Sequence, residues 1–70
     1  MKLSARNILP GKVVSVKKGP ISSLVVLEIA PGVRVTASVT ADAVADLKVA
    51  KGKPAFAIIK ASSIMVGVAD

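Results

Sequence analysis

Val33-Arg34-Val35-Thr36-Ala37-Ser38-Val39-Thr40 runs straight into Ala41-Asp42-Ala43-Val44-Ala45-Asp46-Leu47, and the change of texture at Thr40 decides the fold. In the first stretch Val33, Val35, Ala37 and Val39 alternate with Arg34, Thr36, Ser38 and Thr40, the two-residue period of a strand with one wet face. The second stretch has a helix former at most positions and a threonine suited to cap its N-terminus. Asp42 in the first turn suits the helix dipole. The reading is a strand followed at once by one short helix, which ends before Gly52.

Outward from this junction the chain is punctuated by Pro10-Gly11, Gly19-Pro20, Pro31-Gly32, Gly52 and Pro54. Such spacing between valine-rich runs argues for short strands. Pro31-Gly32 joins the alternating strand to Leu24–Ile29 in a hairpin, and Leu24–Ile29 is apolar on both faces except for Glu28. Gly19-Pro20 turns back to Lys12–Lys18, with Val14 and Val16 on one face and Val13 on the other. That first strand starts as early as Leu3 and bends near Pro10-Gly11. Downstream of the helix, Ala55–Lys60 and Ile64–Val68 read as two more strands separated by Ala61-Ser62-Ser63. The expected class is all-β: a small five-stranded Greek-key barrel of the oligonucleotide/oligosaccharide-binding (OB) type, with one short helix between strands 3 and 4. No linker or repeat divides the chain, so residues 1–70 are read as one domain.

Composition narrows the chemistry. The 70 residues contain no Cys and no His, and the four acids Glu28, Asp42, Asp46 and Asp70 are scattered. That removes disulfides, the common metal-ligand clusters and any evident general base or nucleophile. An enzyme is therefore not expected. A chain so short buries only about 60% of the surface its unfolded form exposes. Yet it is 53% hydrophobic with a mean hydropathy of +0.71, more aliphatic surface than one small core can hide. Leu24-Val25-Val26-Leu27 and Ile64-Met65-Val66 are apolar on both faces, and the second face needs a partner. Self-association is the expected answer. No apolar run reaches the eighteen or so residues of a membrane helix, and Met1-Lys2-Leu3 leads directly into Ser4-Ala5-Arg6-Asn7 with no signal-peptide core. A cytoplasmic protein is expected.

Net charge is +6, from ten Lys/Arg against four Asp/Glu. Two segments pair a fixed cation with small hydroxyl residues beside a strand: Ser4-Ala5-Arg6-Asn7 and Lys60-Ala61-Ser62. Arg6 supplies a planar fork of donors and Lys60 a compact ammonium. Ser4, Thr40, Ser62 and Ser63 supply hydroxyls, and Thr40 opens the helix where unpaired N–H groups point outward. Donors abound and strong acceptors are nearly absent. Such a set suits a fully deprotonated tetrahedral oxyanion, whereas phosphate, protonated part of the time, benefits from an acceptor. Taken singly each residue has a plainer role: a surface charge, a solvated lysine, a helix cap.

Ser4-Ala5-Arg6-Asn7, Leu9, Gly11-Lys12-Val13, Val39-Thr40-Ala41 and Ile59-Lys60-Ala61-Ser62, in that order and spacing, resemble the signature of the molbindins, small molybdate-binding proteins built on a single Mop (TOBE-type) domain. The resemblance covers essentially the whole chain. It implies an OB-like barrel that assembles into a homohexamer, a trimer of dimers, holding molybdate or tungstate between subunits for storage or homeostasis, with no catalytic cofactor. It places the first kind of oxyanion site on Ser4, Ala5, Arg6, Thr40, Lys60, Ala61 and Ser62. A second kind maps onto the turn at Lys18, Gly19 and Ile21, where Pro20 lacks a backbone N–H to donate.

Two other functions compete. Small basic barrels bind single-stranded nucleic acid, but they stack bases on aromatic side chains, and Phe56 is the sole aromatic here. The basic residues also read as spread along the chain. A regulatory interaction module without a small ligand is the other, but no helix-turn-helix or ATPase segment accompanies the domain.

Overall fold

The computed structural model describes residues 3–69. Its elements are β1 (Asn7–Lys17), β2 (Ser22–Ala30), β3 (Val33–Thr40), α1 (Ala41–Asp46) and β4 (Pro54–Ile59), with a 3-10 turn at Ala61–Ser63. The four strands form one antiparallel sheet in the order β3-β2-β1-β4. Three hairpin-linked strands followed by a fourth that returns beside the first is the Greek-key order. Curled into a half-barrel of OB-like form, the sheet is capped at one end by α1.

The long first strand creates the curl. Its first half, Asn7 to Lys12, pairs with β4, while Lys12 to Lys17 pairs with β2. One strand thus serves two neighbours and must bend where it changes partner. Gly11 sits at that bend, and a Cβ there would lie 2.7 Å from the Glu28 carbonyl oxygen. A residue with no side chain is required for the two backbones to approach. Pro10 falls in the half of β1 that has a single neighbour, where its missing N–H leaves no gap in a second ladder. The strand begins at Asn7, so the expected start at Leu3 is not met.

Pro31-Gly32 closes the β2–β3 hairpin as expected, with Ala30 opposite Val33 and Gly32 at φ 75°. Proline followed by a residue of positive φ is the pair a type II turn asks for. The alternation in β3 also holds: Val35, Ala37 and Val39 are half-buried while Arg34, Thr36, Ser38 and Thr40 face solvent.

Two further expectations fail. A β-bulge between Val13 and Ser15 inserts Val14 as an extra residue. The bulge resets the side-chain parity, so Val13 and Val16 both serve the core and Val14 is not the partner of Val16. The fifth strand, Ile64–Val68, does not form: residues 64–69 carry no regular structure. Met65 is 95% exposed and Val66 91%. Their apolar pattern is that of a strand, but a strand exists only where a neighbour supplies the other half of the ladder, and among the described residues no segment does so.

The core is small. Val13, Val25, Leu27, Val44 and Ala57 are buried, with Leu9, Val16, Val35, Val39, Val49 and Ala55 packed around them. The concave face stays open as an apolar groove of about 600 Å³ whose walls include Val25, Leu27, Val39, Phe56 and Ile58.

The helix is short because its end is fixed tightly. Thr40 Oγ1 accepts a hydrogen bond from Ala43 N at 3.1 Å, the N-cap the sequence suggested. At the other end Val49 N donates to Val44 O at 3.0 Å and Lys48 N to Ala45 O at 3.2 Å. This pair of bonds is a Schellman motif. Its left-handed position is held by Lys48 at φ 54°, where glycine is usual.

Candidate oxyanion site

The register of β1 on β4 decides which candidate residues meet. Asn7 lies opposite Ile59, and Asn7 Nδ2 also donates to the Ile59 carbonyl at 3.2 Å. The segments that continue outward from this last pair are Ser4-Ala5-Arg6 on one side and Lys60-Ala61-Ser62 on the other. The fold therefore sets the guanidinium-bearing and ammonium-bearing segments side by side at one end of the sheet. Ala5 is half-buried; Ser4, Arg6, Lys60, Ala61 and Ser62 are exposed. The 3-10 turn is closed by Ser63 N donating to Lys60 O at 2.9 Å, which folds the small residues 61–63 back beneath Lys60.

Among the described residues the one ion pair is Arg34 Nε to Glu28 Oε2 at 3.4 Å, a cross-strand pair on the outer face. It is solvated and worth on the order of 1 kcal/mol or less. Its consequence is negative: Glu28 is already engaged, and neither Arg6 nor Lys60 has a carboxylate partner among the described residues.

Thr40 is elsewhere. It ends β3, on the far edge of the sheet, opposite Ser22 at the start of β2. Strand directions put that end next to the Lys17 end of β1, the full length of an eleven-residue strand from Asn7. At about 3.3 Å per residue the separation is on the order of 30 Å. Within one chain the donors thus form two groups at opposite ends: Ser4, Ala5, Arg6, Lys60, Ala61 and Ser62 at one, Thr40 at the other.

The second set shares the Thr40 end. Lys18 and Gly19 line a cavity of about 390 Å³ beside α1, together with Ser23, Val44, Lys48 and Lys53. Ile21 does not line it and is 81% exposed. Lys48 and Lys53 lie thirty or more residues from Lys18 in the sequence, where they read as part of the dispersed charge. The one available signal was the Lys48-Val49-Ala50-Lys51-Gly52-Lys53 run just after the helix.

Residues 3–66 match the TOBE domain. The chain belongs to the TOBE-domain family. It is 48% identical to a probable molybdenum-pterin-binding protein of Haemophilus influenzae, over 97% of this chain and 99% of that one. Among solved structures, a molybdate-binding protein from Sporomusa ovata superposes with a TM-score of 0.90 at 34% identity, covering 97% of this chain and all (100%) of that chain. The cytoplasmic molybdate-binding protein ModG, solved with molybdate bound, superposes with a TM-score of 0.92 at 42% identity, covering 99% of this chain and 49% of ModG. The resemblance carried by Ser4-Ala5-Arg6-Asn7 and Lys60-Ala61-Ser62 is borne out, and with it the OB-like TOBE fold. These relatives are binding proteins, and none of their names implies catalysis. Among the described residues no group of three His, Cys, Asp or Glu could hold a metal cation, and no helix is long and apolar enough to cross a membrane.

Proposed function

We propose that this chain, acting as one TOBE-type domain, binds molybdate, and tungstate by the same chemistry, for intracellular storage or homeostasis and without catalysis. The observation that carries the proposal is the pairing of Asn7 with Ile59, which sets Arg6 beside Lys60 at one sheet end with no carboxylate partner among the described residues. A dianion with four acceptor oxygens satisfies these donors without needing one of its own to donate.

The same geometry argues that the site is completed by a second copy. Ser4, Ala5, Arg6, Lys60, Ala61 and Ser62 stand at one end of the sheet and Thr40 at the other, so one tetrahedral ion reaches both groups when two chains lie end against end. The apolar surface favours such assembly. Ile64, Met65, Val66 and Val68 are exposed, and so are Phe56 and Ile58 on the wall of the apolar groove. A homo-oligomer that buries both, up to the hexamer the family resemblance implies, accounts for a chain this apolar. Lys18, Gly19 and Ile21 form the second oxyanion site of that assembly.

Isothermal titration with molybdate, tungstate, sulfate and phosphate in parallel tests the reading. Saturable molybdate binding is expected, weakened on the order of tenfold or more by Arg6→Ala or Lys60→Ala, because each removes a charge-assisted hydrogen bond of about 1.5–3 kcal/mol. No heat with molybdate, or an unchanged affinity in both variants, overturns it.

A further inference from the structure

Between the two cation-bearing segments lies a side-chain bond to which the oxyanion reading gives no task. The β1–β4 ladder ends at Asn7 and Ile59, and there the Asn7 side chain crosses between the strands, Nδ2 donating to the Ile59 carbonyl at 3.2 Å. Only the amide nitrogen can make this contact, because the carbonyl opposite it can only accept. Arg6 comes immediately before the tied residue and Lys60 immediately after its partner, and both are exposed.

Beyond this rung the two segments are not tied to each other. Among the described residues no backbone hydrogen bond links 4–6 to 60–63, and no other side-chain hydrogen bond reaches either segment. The 60–63 segment bonds inward instead, Ser63 N to Lys60 O at 2.9 Å and Ile64 N to Ala61 O at 3.4 Å. Its place relative to Arg6 is therefore inherited from Ile59. Water can satisfy a carbonyl at an open sheet end. A half-buried amide in that position adds fixed geometry, with less competition from solvent than an exposed bond meets.

We propose that Asn7 is a positioning residue of the oxyanion site: its amide fixes the spacing of the segments that carry Arg6 and Lys60, and that spacing selects a large tetrahedral oxyanion over a small one. This role rests on the oxyanion reading and extends it from binding to selectivity. Molybdate and tungstate are nearly equal in size, and both are larger than sulfate. All three offer four acceptor oxygens and a double negative charge, so donor chemistry does not tell them apart. Donors held at a set spacing do, because the larger ion meets both cations where the smaller one falls short of one of them. With the tie cut, the two segments must be ordered by the ion itself, which lowers affinity for molybdate. They also close on either ion, and discrimination falls.

Asn7→Leu keeps the shape of the side chain and removes the donor, while Asn7→Gln keeps the amide on a longer arm. Molybdate and tungstate are titrated calorimetrically into the full-length parent and each variant, and sulfate is measured by its displacement of molybdate. Asn7→Leu is expected to bind molybdate about three- to tenfold more weakly, the range one neutral hydrogen bond sustains. Tungstate should weaken by the same factor and sulfate by less, so the molybdate-to-sulfate affinity ratio drops. Asn7→Gln should recover part of that ratio. In the ligand-free protein, backbone amide relaxation should show Arg6 and Ala61 more mobile in Asn7→Leu than in the parent. A merely structural role would lower the melting temperature and leave the ratio where it was. Asn7 loses its assigned role if Asn7→Leu keeps the parent's ratio, if all three anions weaken alike, or if Arg6 and Ala61 are no more mobile. A parent protein that binds no molybdate overturns the oxyanion reading and this role with it, an outcome distinct from failure at Asn7 alone.

Discussion

Single residues in this chain carry geometry that composition hides. Gly11 is the clearest, because a Cβ at that point would meet the Glu28 carbonyl oxygen at 2.7 Å and the Ile29 side chain at 3.1 Å. A carbonyl in a paired strand cannot rotate away as a side-chain tip can, so Gly11→Ala must push β1 and β2 apart where β1 changes partner. We expect it to destabilise the fold by about 1–3 kcal/mol, the usual cost of overpacking, measured by urea denaturation. The contrast is Gly67, where an added Cβ would meet nothing within 4 Å beyond its own chain neighbours and whose φ is not positive. An alanine there should leave the same denaturation curve within about 0.5 kcal/mol. A loss at Gly67 equal to that at Gly11 would mean the cost comes from chain stiffness, not from close approach. Lys48 shows the opposite situation, a side chain kept where its absence would favour the fold.

At the scale of elements, the sequence was legible wherever one strand's own pattern fixes its orientation. Val35, Ala37 and Val39 point inward along β3 as their alternation requires, and Thr40 caps α1 as its hydroxyl and position require. What failed depended on a second segment. The bulge at Val14 is a mismatch between β1 and β2, and nothing in Val13-Val14-Ser15-Val16 alone announces it. The separation of Thr40 from Arg6 and Lys60 follows from strand direction, and the gathering of Lys18, Lys48 and Lys53 from a turn packing beside a helix. Ile64–Val68 is the most telling case, because an apolar segment looks the same whether its cover comes from its own chain or another. A substitution separates the two. Val66 is 91% exposed, and in a lone chain Val66→Asp would shift stability by no more than about 0.5 kcal/mol. Between two copies it would bury a charge and cost several kcal/mol. We expect light scattering to show the variant dissociated at concentrations where the parent is associated; an unchanged mass would mean that the segment lies free in the assembly.

For the whole molecule the deciding quantity is the ratio of apolar surface to available core. The chain is 53% hydrophobic, yet among the described residues the fold buries Val13, Val25, Leu27, Val44 and Ala57, with Ser23. Domains of this size are marginal without a disulfide, a metal or a partner, so in the proposed assembly stability and association would be one equilibrium, and a ligand that binds the assembled form would shift both. The charge acts in the same direction. An excess of six positive charges works against bringing copies together, and in the proposed assembly dianions bound beside Arg6 and Lys60 would offset that repulsion. Molybdate at about 100 times its dissociation constant should therefore stabilise the protein by about 2.7 kcal/mol per site, a shift of several degrees in a domain this small. The rise should shrink as ionic strength increases, since screening weakens both the repulsion and the ion's attraction for exposed cations. Chloride at matched ionic strength should give no comparable rise, because it lacks the four acceptor oxygens that engage hydroxyl and guanidinium donors together. A melting temperature unmoved by molybdate in the parent, or raised as much in Arg6→Ala, would separate assembly from oxyanion binding and leave apolar burial as the sole cause of association.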